Sequence, residues 1–152
     1  MGEILGQLPE GVTPDALVSG VGTGGTLIGV GAAFQEANPA CRLVALEPAE
    51  SPTIACGTIG RHLLEGISDG FVPGIIERYR DRLDEVIEIA SPDAVAEMRR
   101  IARVHGMLVG PSSGAHLLAA LRIMETDPAL ETVVTLFPDE GEKYLGEPEF
   151  YG

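Results

Sequence analysis

The sequence predicts an α/β domain: a parallel sheet of about four strands with helices on both faces, a three-layer αβα arrangement. Three observations predict it. Short apolar runs alternate with longer segments of helical periodicity. The runs are apolar on both faces, as strands buried between two helical layers must be. The chain also carries 20 glycines in 152 residues, well above the average share of roughly 7%, and they gather where a strand would hand over to a helix.

Taken in order, residues 3–9 read as the tail of a helix closed by Pro9 and Gly11. Ala16–Gly20 is a short buried strand. Residues 26–38 follow as a helix with Leu27, Val30, Gly31 and Phe34 on one face and a stop at Asn38-Pro39. Arg42–Glu47 is a second apolar strand ended by Pro48. Residues 49–82 are broken by glycine and proline and read as a long loop with short helical turns, one starting at Ser51-Pro52-Thr53 and running to Cys56. Glu85–Ile89 alternates like a strand. Ser91, as N-cap, and Pro92 open a helix that runs to about His105 and stops at Gly106. Residues 107–109 form a brief strand, followed by GPSSG and a helix from about Ala115 to Glu125. Residues 132–137 make the last strand. A single domain over residues 1–147 with a tail at 148–152 is expected.

Composition excludes several classes of function. A net charge of −13, with 10 lysines and arginines against 23 carboxylates, argues against nucleic acid as a partner. No run approaches the ~18 apolar residues of a membrane helix. The N-terminal stretch has neither the basic nor the apolar region of a signal peptide. A cytoplasmic location and no membrane contact are therefore expected. Cys41 and Cys56 form no C-x-x-C pair, and His62, His105 and His116 show no ligand spacing, so no metal site is expected.

The chemistry concentrates in residues 20–26, GVGTGGT. Consecutive N–H groups at a helix N-terminus, with no β-carbons in the way and the hydroxyls of Thr23 and Thr26 beside them, suit an anion. With a single lysine in the chain, Lys143, main-chain amides and the helix dipole must supply most of the attraction. Which anion stays open. Gly20, Gly22 and Gly25 satisfy the dinucleotide pattern G-x-G-x-x-G, and Glu47 ends the next strand where a ribose-binding acid would stand, so a NAD-binding Rossmann domain is one reading. A Walker loop is excluded, because no Lys-Ser or Lys-Thr closes the turn. A ligand-free tight turn is another reading. The segment Gly110–Gly114 has the same ambiguity: Ser112 or Ser113 is a helix N-cap, or a hydroxyl aimed at a heteroaromatic nitrogen.

Five segments in one order carry a resemblance: GTGGT, the Glu-Pro after the next strand, GISDGFVP, LVGPSSGA and TLFPDEGEKYL. Together, from about Ile4 to Leu145, they resemble the C-terminal half of the cysteine synthase (O-acetylserine sulfhydrylase) family. That family belongs to the fold-type II pyridoxal-phosphate enzymes, with cystathionine β-synthase and the tryptophan synthase β-like proteins. The resemblance implies the larger-domain portion of that fold and pyridoxal 5′-phosphate as cofactor. Gly22, Thr23, Gly24, Gly25 and Thr26 would hold its phosphate, and Ser112 would hydrogen-bond the pyridine nitrogen. Gly66, Ile67 and Gly70 would line the mouth of the site. A neutral hydroxyl partner would leave the nitrogen largely unprotonated, favouring β-elimination over transamination. The implied reaction is β-replacement on O-acetylserine or a similar activated serine, with sulfide, giving cysteine.

The family's cofactor-bearing lysine motif (S-x-K-x-R) and its substrate-carboxylate loop (T-S-G-N-x-G) do not occur here. Lys143 stands where the family has Arg or Lys in a structural tail and is not expected to carry the cofactor. No catalytic residue is therefore assigned within this chain. It is expected to be a split-gene product, a truncated piece or a non-catalytic remnant or interaction module. An N-terminal half carrying the lysine, further copies of the chain and a small amino-acid substrate are the expected partners. Pro111 and Glu140 depart from the family pattern, the latter placing an extra acid near the expected ring.

Overall fold

The computed structural model describes residues 2–151; the expected domain and tail limits at positions 1 and 152 lie outside them. Four parallel strands form one sheet in the order β3-β2-β1-β4: β1 (Ala16–Gly20), β2 (Arg42–Pro48), β3 (Glu85–Ile89) and β4 (Val133–Val134). β1 is central, paired with β2 from Ala16↔Arg42 to Gly20↔Leu46 and with β4 at Ala16↔Val133 and Leu17↔Val134. The remaining elements are α1 (Gly2–Gln7), α2 (Gly25–Ala37), α3 (Thr53–Cys56), α4 (Gly74–Arg78), α5 (Ser91–His105), α6 (Pro111–Thr126) and α7 (Pro148–Tyr151), with 3-10 turns at Arg80–Arg82 and Gly141–Tyr144.

The period of two along a strand distributes the core to both faces. Leu17, Leu43 and Ala45 point one way and pack with Leu27, Ile28 and Phe34 of α2. Ala16, Val18, Val44 and Leu46 point the other way, with Ile87 and Ile89, onto Ala94 of α5 and Ala115, Ala119 and Ile123 of α6. Each large aliphatic side chain removed from water this way stabilises the fold by ~1.5–3 kcal/mol. α5 follows the sequence signals closely: Pro92 and Asp93 stand in its first turn, Arg103 and His105 in its last, and Gly106 ends it at φ 68°. Residues 49–82 hold α3, α4 and one 3-10 turn within a long loop, as the glycines and prolines implied. Among the described residues no helix is long and apolar enough to cross a membrane.

Four local expectations need correction. Ser91 is the first helical residue and caps nothing; its Oγ accepts the N–H of Leu63 at 3.0 Å. Residues 107–109 form no strand; only Val109 makes a bridge, antiparallel, to Glu140. α6 starts at Pro111, so PSSG is its first turn and Gly110 its N-cap. Proline is suited to that first position, having a fixed φ and no N–H to leave unpaired. The last strand is two residues long, because the Thr135 hydroxyl donates to the Val18 carbonyl at 3.0 Å.

The segment expected as a tail folds onto the domain. Phe150 of α7 is buried against Tyr144, with ring centroids 4.8 Å apart.

Candidate functional site

The site begins where β1 runs into α2. Gly24 caps α2 at φ 82° and has no side chain to cap the helix with. The first N–H groups of a helix lack intrahelical acceptors, so this end stays free for an anion. The loop before it is clamped: Val21 N–H donates to the Leu46 carbonyl at 3.2 Å, and Ser68 N–H donates to the Val21 carbonyl at 2.9 Å. A β-carbon on Gly20 would press on Ile67 and the His116 ring, and one on Gly24 on Ile75 and Ile76.

Across from this loop stands the first turn of α6. Ser112, Ser113 and His116 are all buried. His116 ties the two structures together. Its Nδ1 lies 2.7 Å from the Ser112 carbonyl, and its Nε2 accepts the Gly20 N–H at 2.8 Å. Only the neutral ring protonated at Nδ1 satisfies both contacts. Burial pushes its pKa below the ordinary histidine value, outweighing the Ser112 carbonyl and Asp139, which act the other way.

Asp139, at the end of the segment after β4, is the polar hub. Its Oδ1 accepts from Ser112 Oγ at 3.1 Å and from Ser113 Oγ at 3.4 Å, and its Oδ2 accepts from Tyr144 Oη at 2.7 Å. Lys143 Nζ stands 3.4 Å from Oδ2 and 3.3 Å from Glu65 Oε2. Gly110 lacks the β-carbon that would collide with this carboxylate. Burial first, and then the bond to Asp139, raise the Tyr144 pKa. The Tyr144 hydroxyl first, with Glu65 and Asp139 adding, raises that of Lys143, even though burial opposes it.

One cavity of about 540 Å³ unites these parts. Of the residues singled out from sequence, Gly20, Gly22, Thr23, Gly24, Thr26, Gly66, Ile67 and Ser112 line it. Gly25 does not line it; its N–H lies 3.5 Å from Thr23 Oγ1. Gly70, at φ +84°, lies beside Ile59, away from the lining. Ser112 aims its hydroxyl at Asp139. Sequence reasoning missed Glu65 and His116. His116 is one helical turn beyond Ser112 and so on the same face of α6, a signal that was available. Lys143 also lines the cavity, but as an ammonium held by two carboxylates.

Glu47 rules out the ribose role. It is fully buried, and its carboxylate accepts the N–H groups of Ile54 at 2.7 Å and Ala55 at 2.9 Å. It serves as the cap of α3 and has no oxygen to offer a dinucleotide. The Rossmann reading is not favoured.

The cavity suits a pyridoxal phosphate: a helix N-terminus whose N-cap is a glycine, glycines where β-carbons would intrude, and a buried hydroxyl on the opposite wall. Comparison with known proteins agrees. Residues 1–139 match the family described as pyridoxal-phosphate dependent enzyme. A cysteine synthase of Staphylococcus aureus is 41% identical over 146 residues, covering 96% of this chain and 46% of that protein. A hydrogen sulfide-producing enzyme of Fusobacterium nucleatum superposes with a TM-score of 0.89 at 36% identity, over 97% of this chain and 44% of that one. An O-acetylserine dependent cystathionine β-synthase of Helicobacter pylori gives 0.86 at 34%, over 97% and 47%. The chain thus belongs to the pyridoxal-phosphate dependent enzyme family, and it spans about half the length of the relatives it matches.

Proposed function

We propose that this chain is the cofactor-binding portion of a cysteine-synthase-like protein that replaces the β-substituent of an activated serine, such as O-acetylserine, with sulfide. One observation carries the reading: the N-terminus of α2 and the Ser112 face of α6, far apart in sequence, open on a single cavity. Pyridoxal phosphate, when bound, supplies the electron sink for such chemistry. The chain's own residues bind and orient it. The amides of Gly22–Thr26 and the hydroxyls of Thr23 and Thr26 hold its phosphate dianion at the positive end of the helix dipole. Ser112 meets the ring nitrogen. Gly66 and Ile67 wall the mouth.

The proton-transferring lysine belongs to a partner segment equivalent to the N-terminal part of the relatives. Lys143 does not replace it. A covalent amine works with a lowered proton affinity, whereas that of Lys143 is raised. The reading further assigns residues 1–147 to one cofactor-binding unit, a small amino acid as substrate, self-association of the complete protein and a cytoplasmic location.

The test is complementation. The chain is mixed with the separately produced N-terminal half of the Staphylococcus aureus relative and pyridoxal phosphate, then given O-acetylserine and sulfide. A protein-bound cofactor absorbance and cysteine formation are expected. A well-folded chain that fails to alter the phosphorus resonance of pyridoxal phosphate, alone or in the mixture, would overturn the proposal.

A further inference from the structure

We propose that a second cavity, between Glu50 and Arg61, is a binding site for a small zwitterionic amino acid. Glu50 takes the ammonium, Arg61 takes the carboxylate, and Leu63 and Pro92 flank the side chain. This cavity shares no lining residue with the one at the phosphate loop, and the inference does not depend on the cofactor reading.

The cavity measures about 240 Å³, below the ~300–1,000 Å³ of sites for drug-sized ligands. Its walls are firmly built. Gly60 sits on the Glu50 main chain, where a β-carbon would run into the carbonyl oxygen. Ser91 is buried and ties the two sides together. Its N–H donates to Glu50 Oε1 at 2.7 Å, and its Oγ accepts the Leu63 N–H at 3.0 Å. His62 is engaged by the main chain. Its Nδ1 accepts the Leu64 N–H at 3.3 Å, which leaves the ring proton on Nε2, 3.1 Å from the Ser68 carbonyl.

Two groups of the lining remain unengaged. Glu50 Oε2 is buried and has no hydrogen-bond partner among the described residues, and a carboxylate oxygen shut in without a donor calls for one. Arg61 lines the same cavity and makes no ion pair among the described residues. Opposite charges that share a cavity without meeting leave a slot between them. A simple cation would satisfy Glu50 and repel Arg61, and a simple anion would do the reverse. A molecule with both charges answers both, its carboxylate open to two parallel N–H bonds from the guanidinium. A free α-amino acid is a compact species of that kind, and Leu63 and Pro92 favour a short aliphatic side chain on it. The site also reaches the mouth of the cofactor cavity. The carbonyl of Ser51, next after Glu50, accepts Ser68 Oγ at 2.7 Å, and Ser68 N–H donates to the Val21 carbonyl at 2.9 Å. An occupant therefore stiffens residues 66–70.

Titrating the whole chain with L-alanine and L-valine, followed by ¹H–¹⁵N NMR, tests this. Both probes should bind with millimolar or tighter affinity and move the amides of residues 61–66 and Ser91. N-acetyl-L-alanine lacks the ammonium and L-alaninamide lacks the carboxylate. Each should bind about tenfold more weakly or worse, the effect of losing one charge-assisted hydrogen bond. Glu50→Gln keeps an acceptor for the Ser91 N–H and should weaken L-valine binding by about the same factor. Arg61→Ala should do likewise, and because Arg61 is exposed it serves should the Glu50 variant fail to fold. No shifts with either probe, equal affinity for the blocked probes, or unchanged affinity in Arg61→Ala overturns the inference. Shifts confined to residues 22–26 and Ser112 would put the amino acid in the cofactor cavity and overturn it too. Each of these outcomes leaves the cofactor reading standing.

Discussion

Gly22 and Gly66 meet backbone to backbone: a β-carbon on Gly22 would run into the Gly66 carbonyl oxygen. Two loops assigned separate roles, phosphate cradle and mouth, are therefore one packed unit. Gly22→Ala should force them apart at a cost typical of overpacking, about 1–3 kcal/mol, and weaken pyridoxal-phosphate binding at the same time. Urea denaturation alongside cofactor titration checks it. Full stability with full affinity would show the two loops to be independent.

Glu47 gives a prediction that separates the two readings of the glycine loop. Glu47→Ala orphans the buried Ile54 amide, at about 1–3 kcal/mol, and loosens α3. Neither wild type nor variant should bind NAD. Calorimetric titration that found NAD affinity in the wild type, lost in the variant, would restore the dinucleotide reading.

His116 makes stability depend on pH. Its folded pKa is lowered by burial, so the unfolded chain takes up the proton first as acid is added. Stability is complete above the unfolded value near 6.5, declines as pH falls below it, and levels off once the folded pKa is passed. The slope is at most about 1.4 kcal/mol per pH unit for one proton. Denaturation midpoints between pH 7.5 and 5 should fall more steeply in wild type than in His116→Gln. Parallel curves would remove His116 as the source.

Lys143 is the chain's lone lysine, and its raised proton affinity keeps it an ammonium at neutral pH. Borohydride reduction after incubation with pyridoxal phosphate at pH 7.5 should leave the peptide containing Lys143 unmodified by mass spectrometry. A stoichiometric adduct there would place the covalent role inside this chain. Lys143→Met should weaken phosphate binding only slightly.

The sheet was legible because its signals are local. Val18 and Leu17 face opposite layers, so their run had to be apolar throughout, and Gly106 ended α5 through a positive φ that glycine adopts without strain. What failed depended on distant partners. Ser91 looks like a cap, yet its hydroxyl is taken by Leu63 from the preceding loop. Residues 132–137 look like a full strand, yet the Thr135 side chain takes the carbonyl that would have continued the ladder. Eight cavity residues could be named from motifs. Helical spacing put His116 on the Ser112 face but not against the Gly20 amide, and Glu65 gains its meaning only from the Lys143 ammonium that the fold supplies. The direction of the Ser112 hydroxyl was invisible for the same reason.

The pairing of β1 with β4 has a consequence for how the chain reaches this shape. Thr135 and Val18 are 117 positions apart, and the ladder between their strands is only two residues long. Closing so large a loop forfeits chain entropy that so few main-chain bonds return slowly. That edge should therefore zip last in folding and open first under stress, with whatever fills the crevice at its end acting as the clasp.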